Sequence, residues 1–184
     1  MRHPFLDRLA QALNERRVAT YRYEFLYMEK GAGRPDSPAV AEARVREAAL
    51  EAARAAPGLP LFAGGKSFGG RMTSQAQARE PLPGVRGLVF LGFPLHPPGR
   101  PGTSRAEHLS QVSIPMLFLQ GTRDDFAGLD LLRPIVQGVG ASATLHIVEG
   151  GDHSFKVLKR TGRTETDVLN ELADTITAWA GQHA

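Results

Sequence analysis

The segment Leu59-Pro60-Leu61-Phe62-Ala63 is apolar and runs straight into Gly64-Gly65-Lys66-Ser67-Phe68-Gly69. The first part reads as a short strand, with Pro60 tolerable because it stands at the start. From about Ser67 to Glu80 the chain reads as a helix. The pattern G-x-S-x-G over residues 65–69 therefore falls between a strand and a helix, where it makes a sharp turn that lifts the serine hydroxyl clear of the backbone. Glycine is needed on either side because neighbouring chain passes too close for side chains. The amide of Phe68, at the helix N-terminus, points to where negative charge would develop on a substrate oxygen. Taken alone, the pattern also suits a purely structural glycine-rich turn. A phosphate loop of the form G-x-x-x-x-G-K-[ST] is not met, because Pro60 stands where its first glycine should be.

Working outward from this turn, helix and strand patterns alternate, which predicts a parallel α/β sheet. Upstream, Phe5, Leu6, Leu9 and Leu13 recur at helical spacing over residues 4 to about 16. Tyr21, Tyr23, Phe25 and Tyr27 alternate with other residues and predict a strand over Val18 to Tyr27. Ser37-Pro38 starts an alanine-rich helix that Pro57-Gly58 stops. Downstream, strands are expected at Gly87 to Leu91, Met116 to Gln120 and Thr144 to Val148. A Pro/Gly-rich loop fills Phe93 to Thr103, followed by a short helix near Arg105 to Gln111 and another over Leu129 to Val139. Thr164 caps the last helix, with Asp167 three residues later and Val168, Leu172, Ile176 and Trp179 as its core stripe. The expected architecture is a single three-layer α/β domain over residues 1–184, with a mostly parallel sheet of about five strands.

Two further turns that follow strands carry reactive groups, and in open α/β sheets such turns converge. Gly121-Thr122-Arg123-Asp124-Asp125 offers an acid able to orient a histidine, with Asp124 the first choice and Asp125 the second. Glu149-Gly150-Gly151-Asp152-His153-Ser154-Phe155 offers His153 as general base for Ser67. His3 and His183 lie at the termini, and His146 lies within a strand. His96 and His108 flank the Pro-rich loop, where pocket-lining and structural roles are both open. Serine, then aspartate, then histidine, each after an expected strand, is the α/β-hydrolase order.

Bulk properties exclude other classes. There is no cysteine, so disulfides, thiolate metal sites and a cysteine nucleophile are ruled out. A net charge of +3, with acids and bases alternating, leaves no nucleic-acid footprint. No apolar run reaches the length of a membrane span, and a cytoplasmic setting is expected. The one basic cluster, Lys156, Lys159, Arg160 and Arg163, is either a solvated turn or an attractor of anionic substrate. Neither a metal nor an organic cofactor is expected.

The chain resembles bacterial α/β-hydrolase proteins related to testis-expressed protein thirty and to the third regulatory subunit of the NSL histone-acetylation complex, with dienelactone hydrolases as more distant cousins. The matching stretches are Gly65 to Met72, Leu91 to Gly99, Arg105 to Leu109, Gln120 to Asp124 and Gly150 to Phe155. The resemblance implies catalytic roles for Ser67, Asp124 and His153. Phe68 stands where a methionine is common, and Asp125 where a proline is common. Relatives begin with an apolar strand and a His-Gly-Ala-Gly loop that supplies a second oxyanion amide; neither precedes His3 here. The expectation is therefore that Met1 is an internal methionine or that the chain is a fragment.

Two functions follow. The first is an esterase-like hydrolase that cleaves a small-molecule acyl bond through an acyl-serine, with the Phe68 amide as oxyanion donor. The alternative is a hydrolase-fold protein-interaction module with weak or no catalysis, since the eukaryotic relatives include a complex subunit. No protein partner is indicated by the residues themselves.

Overall fold

A computed structural model of the chain describes residues 3–184. The helices are α1 (Pro4–Glu15), α2 (Leu26–Glu29), α3 (Pro38–Ala55), α4 (Phe68–Arg79), α5 (Leu129–Val139) and α6 (Glu165–Gln182). The strands are β1 (Leu61–Lys66), β2 (Val85–Leu91), β3 (Met116–Gly121) and β4 (Ala143–Val148). All neighbouring strands pair in parallel, in the spatial order β1-β2-β3-β4. Right-handed crossovers between strands laid down in sequence order carry every connection to the same face. That face holds α3, α4, α5 and the 3₁₀ helix Ser104–Gln111, whose Ala41, Met72, Leu109 and Leu132 share one buried cluster. The other face is covered by α1 and α6 through Phe5, Leu9, Leu172 and Trp179. The result is a three-layer α/β fold.

β3 shows how one strand serves both layers. Side chains alternate across a strand. Met116 and Phe118 enter the first cluster, and Leu117 and Leu119 enter the second. All four are fully buried, as befits an inner parallel strand covered on both faces. The expected cap of α6 is present as a capping box. Thr164 Oγ1 accepts from the Asp167 amide at 3.1 Å, and Asp167 Oδ2 accepts from the Thr164 amide at 2.7 Å. Pro38 opens α3 as expected, although Ser37 makes no side-chain cap bond.

The strand expected over Val18 to Tyr27 does not form, and among the described residues the sheet has four strands rather than about five. Val18 to Phe25 joins no ladder, and the chain turns into α2 at Leu26. Tyr23, Phe25 and Tyr27 pack against the helical layer instead, while Tyr21 is exposed. Phe25 is buried, with its ring edge-on to Phe68 at 5.2 Å and to Tyr23 at 5.5 Å. Period-two aromatic spacing reports one buried side, and a segment laid over helices has that as surely as a strand does.

Candidate active site

Parallel strands all end at one edge, so the turns after β1, β2, β3 and β4 gather there. After β1 the backbone reverses at Ser67, which has φ 50° and ψ −114°, a left-handed conformation that side chains rarely adopt. The reversal brings Gly65 against both Gly69 and Gly70. A Cβ on Gly70 would lie 2.7 Å from the Gly65 carbonyl oxygen. The Ser67 amide donates to the Leu91 carbonyl at 3.0 Å, which ties the turn to the end of β2. Phe68 is the first residue of α4, so its amide belongs to the first-turn donors that lack an intrahelical acceptor.

His153 stands in the turn after β4. Asp152 Oδ1 accepts the amides of Ser154 at 2.7 Å and Lys156 at 2.9 Å, closing this turn on itself. Phe155, at φ 59°, is buried with its ring stacked 5.5 Å from that of Phe5 in α1. Lys66 Nζ donates to the His153 carbonyl at 2.8 Å, which links the end of β1 to the histidine turn. Burial holds the Lys66 ammonium pKa below its ordinary value, against the opposing attraction of Asp124 and Asp152.

The Asp124 side chain, after β3, has no solvent exposure, and that of His153 has 17%. A buried carboxylate must find donors. Asp124 Oδ1 accepts the Phe126 amide at 2.8 Å, and Oδ2 accepts Gln120 Nε2 at 2.6 Å. His153 Nδ1 lies 2.9 Å from Oδ1 and 2.8 Å from Oδ2. Its Nε2 lies 2.8 Å from Ser67 Oγ. An ionised carboxylate can only accept, so Nδ1 donates and Nε2 is left to accept from the serine hydroxyl. Gly92, after β2, makes room for this arrangement. A Cβ there would stand 3.3 Å from both Asp124 Oδ2 and His153 Nδ1. The Phe126 ring stacks on the imidazole at 4.1 Å.

The hydroxyl faces a cleft of about 690 Å³ lined by Phe68, Arg71, Pro94, Arg105 and Phe126, among others. A space of this size suits a small-molecule ligand. A polar donor-acceptor relay that ends on a cleft-lining serine can move a proton off its hydroxyl.

A model of the family described as "Alpha/beta hydrolase domain" matches residues 1–181. The chain belongs to the alpha/beta hydrolase family. Solved structures agree on the fold. A serine hydrolase without lid from Xanthomonas campestris shares 22% identity at a TM-score of 0.73, with 97% of this chain and 75% of that one covered. An alpha-beta serine hydrolase homologue from Coxiella burnetii shares 21% at 0.71, covering 97% and 76%. The esterase domain of a Rhodothermus marinus protein shares 15% at 0.68, covering 97% and 80%.

Within this hydrolase domain, Ser67, Asp124 and His153 meet as the sequence suggests, and Phe68 lies beside them. Asp125 is exposed, and the carboxylate that His153 Nδ1 meets is that of Asp124. His96 and His108 do not line the cleft. His96 Nδ1 lies 2.9 Å from the Pro97 carbonyl, and His108 Nε2 lies 2.7 Å from Ser74 Oγ. Burial, with help from the charge of Arg71, pushes the His108 pKa down to about 4. None of Lys156, Lys159, Arg160 or Arg163 lines the cleft, and Arg163 pairs with Glu171. Among the described residues, no three His, Cys, Asp or Glu side chains are grouped to hold a metal ion, and no helix is long and apolar enough to cross a membrane. Sequence reasoning missed Gln120, Lys66 and Phe126. Only Gln120 left a signal, as the sole polar side chain of the run Met116 to Gln120.

Proposed function

We propose that this alpha/beta hydrolase is a serine hydrolase that cleaves an ester or related acyl bond through an acyl-serine intermediate. The observation that carries this reading is the hydrogen-bonded chain Asp124, His153, Ser67, whose serine lines the cleft. The likeness to serine hydrolases and to an esterase domain points the same way. His153 Nε2 takes the hydroxyl proton while Ser67 Oγ bonds to the carbonyl carbon. The Phe68 amide donates to the oxygen that becomes negative. His153 then gives the proton to the leaving oxygen as its bond to carbon breaks, and Asp124 holds the imidazolium in place throughout. Water, deprotonated by His153 in its turn, releases the acid and restores Ser67.

The resemblance to proteins related to testis-expressed protein thirty and to a complex subunit keeps a scaffold role as the rival, and one experiment separates them. Labelling by a fluorophosphonate probe is expected for the wild type and lost in Ser67→Ala. Hydrolysis of p-nitrophenyl esters of graded chain length is expected to follow the same pattern. A folded wild type that takes no label, or a Ser67→Ala protein that labels equally well, would refute the enzyme.

A further inference from the structure

The cleft that Ser67 faces carries three arginines, Arg34, Arg71 and Arg105, against one acid, Asp36. Asp36 does not neutralise them, since its Oδ2 accepts the Tyr27 amide at 3.1 Å and it forms no ion pair among the described residues. Arg71 and Arg105 are partly buried and likewise have no acidic partner among the described residues. The Nε of Arg71 is buried with no hydrogen-bond partner, while its guanidinium sits 5.8 Å from the centre of the Phe68 ring. Other arginines with restricted exposure are paired, as Arg44 is with Glu51 and Arg163 with Glu171. A buried donor without a partner is costly, and two cations placed together without an anion cost more. Burial and the nearby Arg105 charge both lower the Arg71 pKa, which expresses the same unmet demand. A guanidinium presents a planar fork of donors that fits a carboxylate.

We infer that the substrate of this site carries a carboxylate, which Arg71 and Arg105 hold in the cleft while its acyl carbon is presented to Ser67. The inference rests on the acyl-serine reading above and adds the substrate class. The acyl half is the one expected to bear the charge, because Arg71 and Phe68 share the first turn of α4 directly after Ser67. The carboxylate then serves as an anchor remote from the reacting bond, fixing orientation without taking part in the chemistry.

The test compares p-nitrophenyl hydrogen adipate with its neutral counterpart, p-nitrophenyl methyl adipate, on the whole chain. The wild type is expected to favour the acid in kcat/KM by roughly ten- to a hundredfold, the range of a charge-assisted hydrogen bond. That ratio is expected to fall toward one in Arg71→Gln and in Arg105→Gln, and to fall by a smaller factor in the wild type at about 1 M salt, which screens partly buried charges less than exposed ones. A ratio near one in the wild type, with both esters hydrolysed in a Ser67-dependent way, overturns the inference and leaves the hydrolase standing. If neither ester is turned over, fluorophosphonate labelling of Ser67 decides the hydrolase reading by itself. Adipate titrated into the wild type and into Arg105→Gln then decides the pocket alone. Saturable binding lost in the variant supports it, and no binding overturns it. The salt comparison needs no substitution, so a variant that fails to fold does not remove the test.

Discussion

Gln120 Nε2 donates to Asp124 Oδ2 at 2.6 Å, while the Gln120 Oε1 accepts the Phe93 amide at 3.0 Å. Both side chains are buried. One amide thus joins the end of β3 to the loop after β2 and fixes the carboxylate that faces His153. Replacing Gln120 by Leu leaves the Phe93 amide unsatisfied and Asp124 short of a donor. The expected cost is about 1–3 kcal/mol of stability. Turnover should fall by roughly ten- to a hundredfold through misplacement of the imidazole. Denaturant unfolding checks the first, and separate kcat and KM values check the second, with the loss expected in kcat.

Asp124→Asn keeps the shape but changes the chemistry. An amide nitrogen turned to His153 Nδ1 donates rather than accepts, which stabilises the tautomer with its proton on Nε2. That proton would face the Ser67 hydroxyl and block its deprotonation. A fall in kcat of about 10⁴-fold is expected, as for the same change in other Ser-His-Asp enzymes. Fluorophosphonate labelling rates give the measurement, and an unchanged rate would remove Asp124 from the relay.

Gly70 packs its α-carbon against the Gly65 carbonyl. An added methyl would lie 2.7 Å from that oxygen and 3.2 Å from Phe90 Cδ1. The oxygen is backbone and cannot swing aside, so Gly70→Ala should destabilise by roughly 1–3 kcal/mol. Because the same contact sets the Ser67 turn, the labelling rate should drop as well. Thermal unfolding and probe kinetics together test this.

His108 is held neutral inside the helical layer, with its pKa pushed down to about 4 by burial and by Arg71. The unfolded chain, with an ordinary value near 6.5, binds the proton more readily. Between about pH 6.5 and 4 the unfolded state therefore carries more protons, and stability falls as pH falls. The contribution is intact above pH 6.5. Its slope approaches at most about 1.4 kcal/mol per pH unit. His108→Leu should flatten the decline across that window, as read from unfolding midpoints at stepped pH.

Much of the candidate site was legible because its order in the chain reflects the order of the strands. Glycine-flanked Ser67, Asp124 and His153 each stand just past an apolar run, and parallel strands deliver such positions to one edge. The aromatic alternation from Tyr21 to Tyr27 misled, because burial of one side does not say whether a ladder or a helical layer does the burying.

From its residue pattern alone, the chain determined an alternating α/β order, the strained turn at Ser67 and the choice of reactive groups, since these depend on local spacing and on backbone sterics. Tertiary structure alone decided that Asp124 rather than Asp125 meets His153, that Gln120 and Lys66 brace the meeting, and that Arg71 and Arg105 line the cleft without an acidic partner among the described residues. Those outcomes depend on which side chains from distant segments share one low-dielectric space. Neither periodicity nor composition encodes that distance.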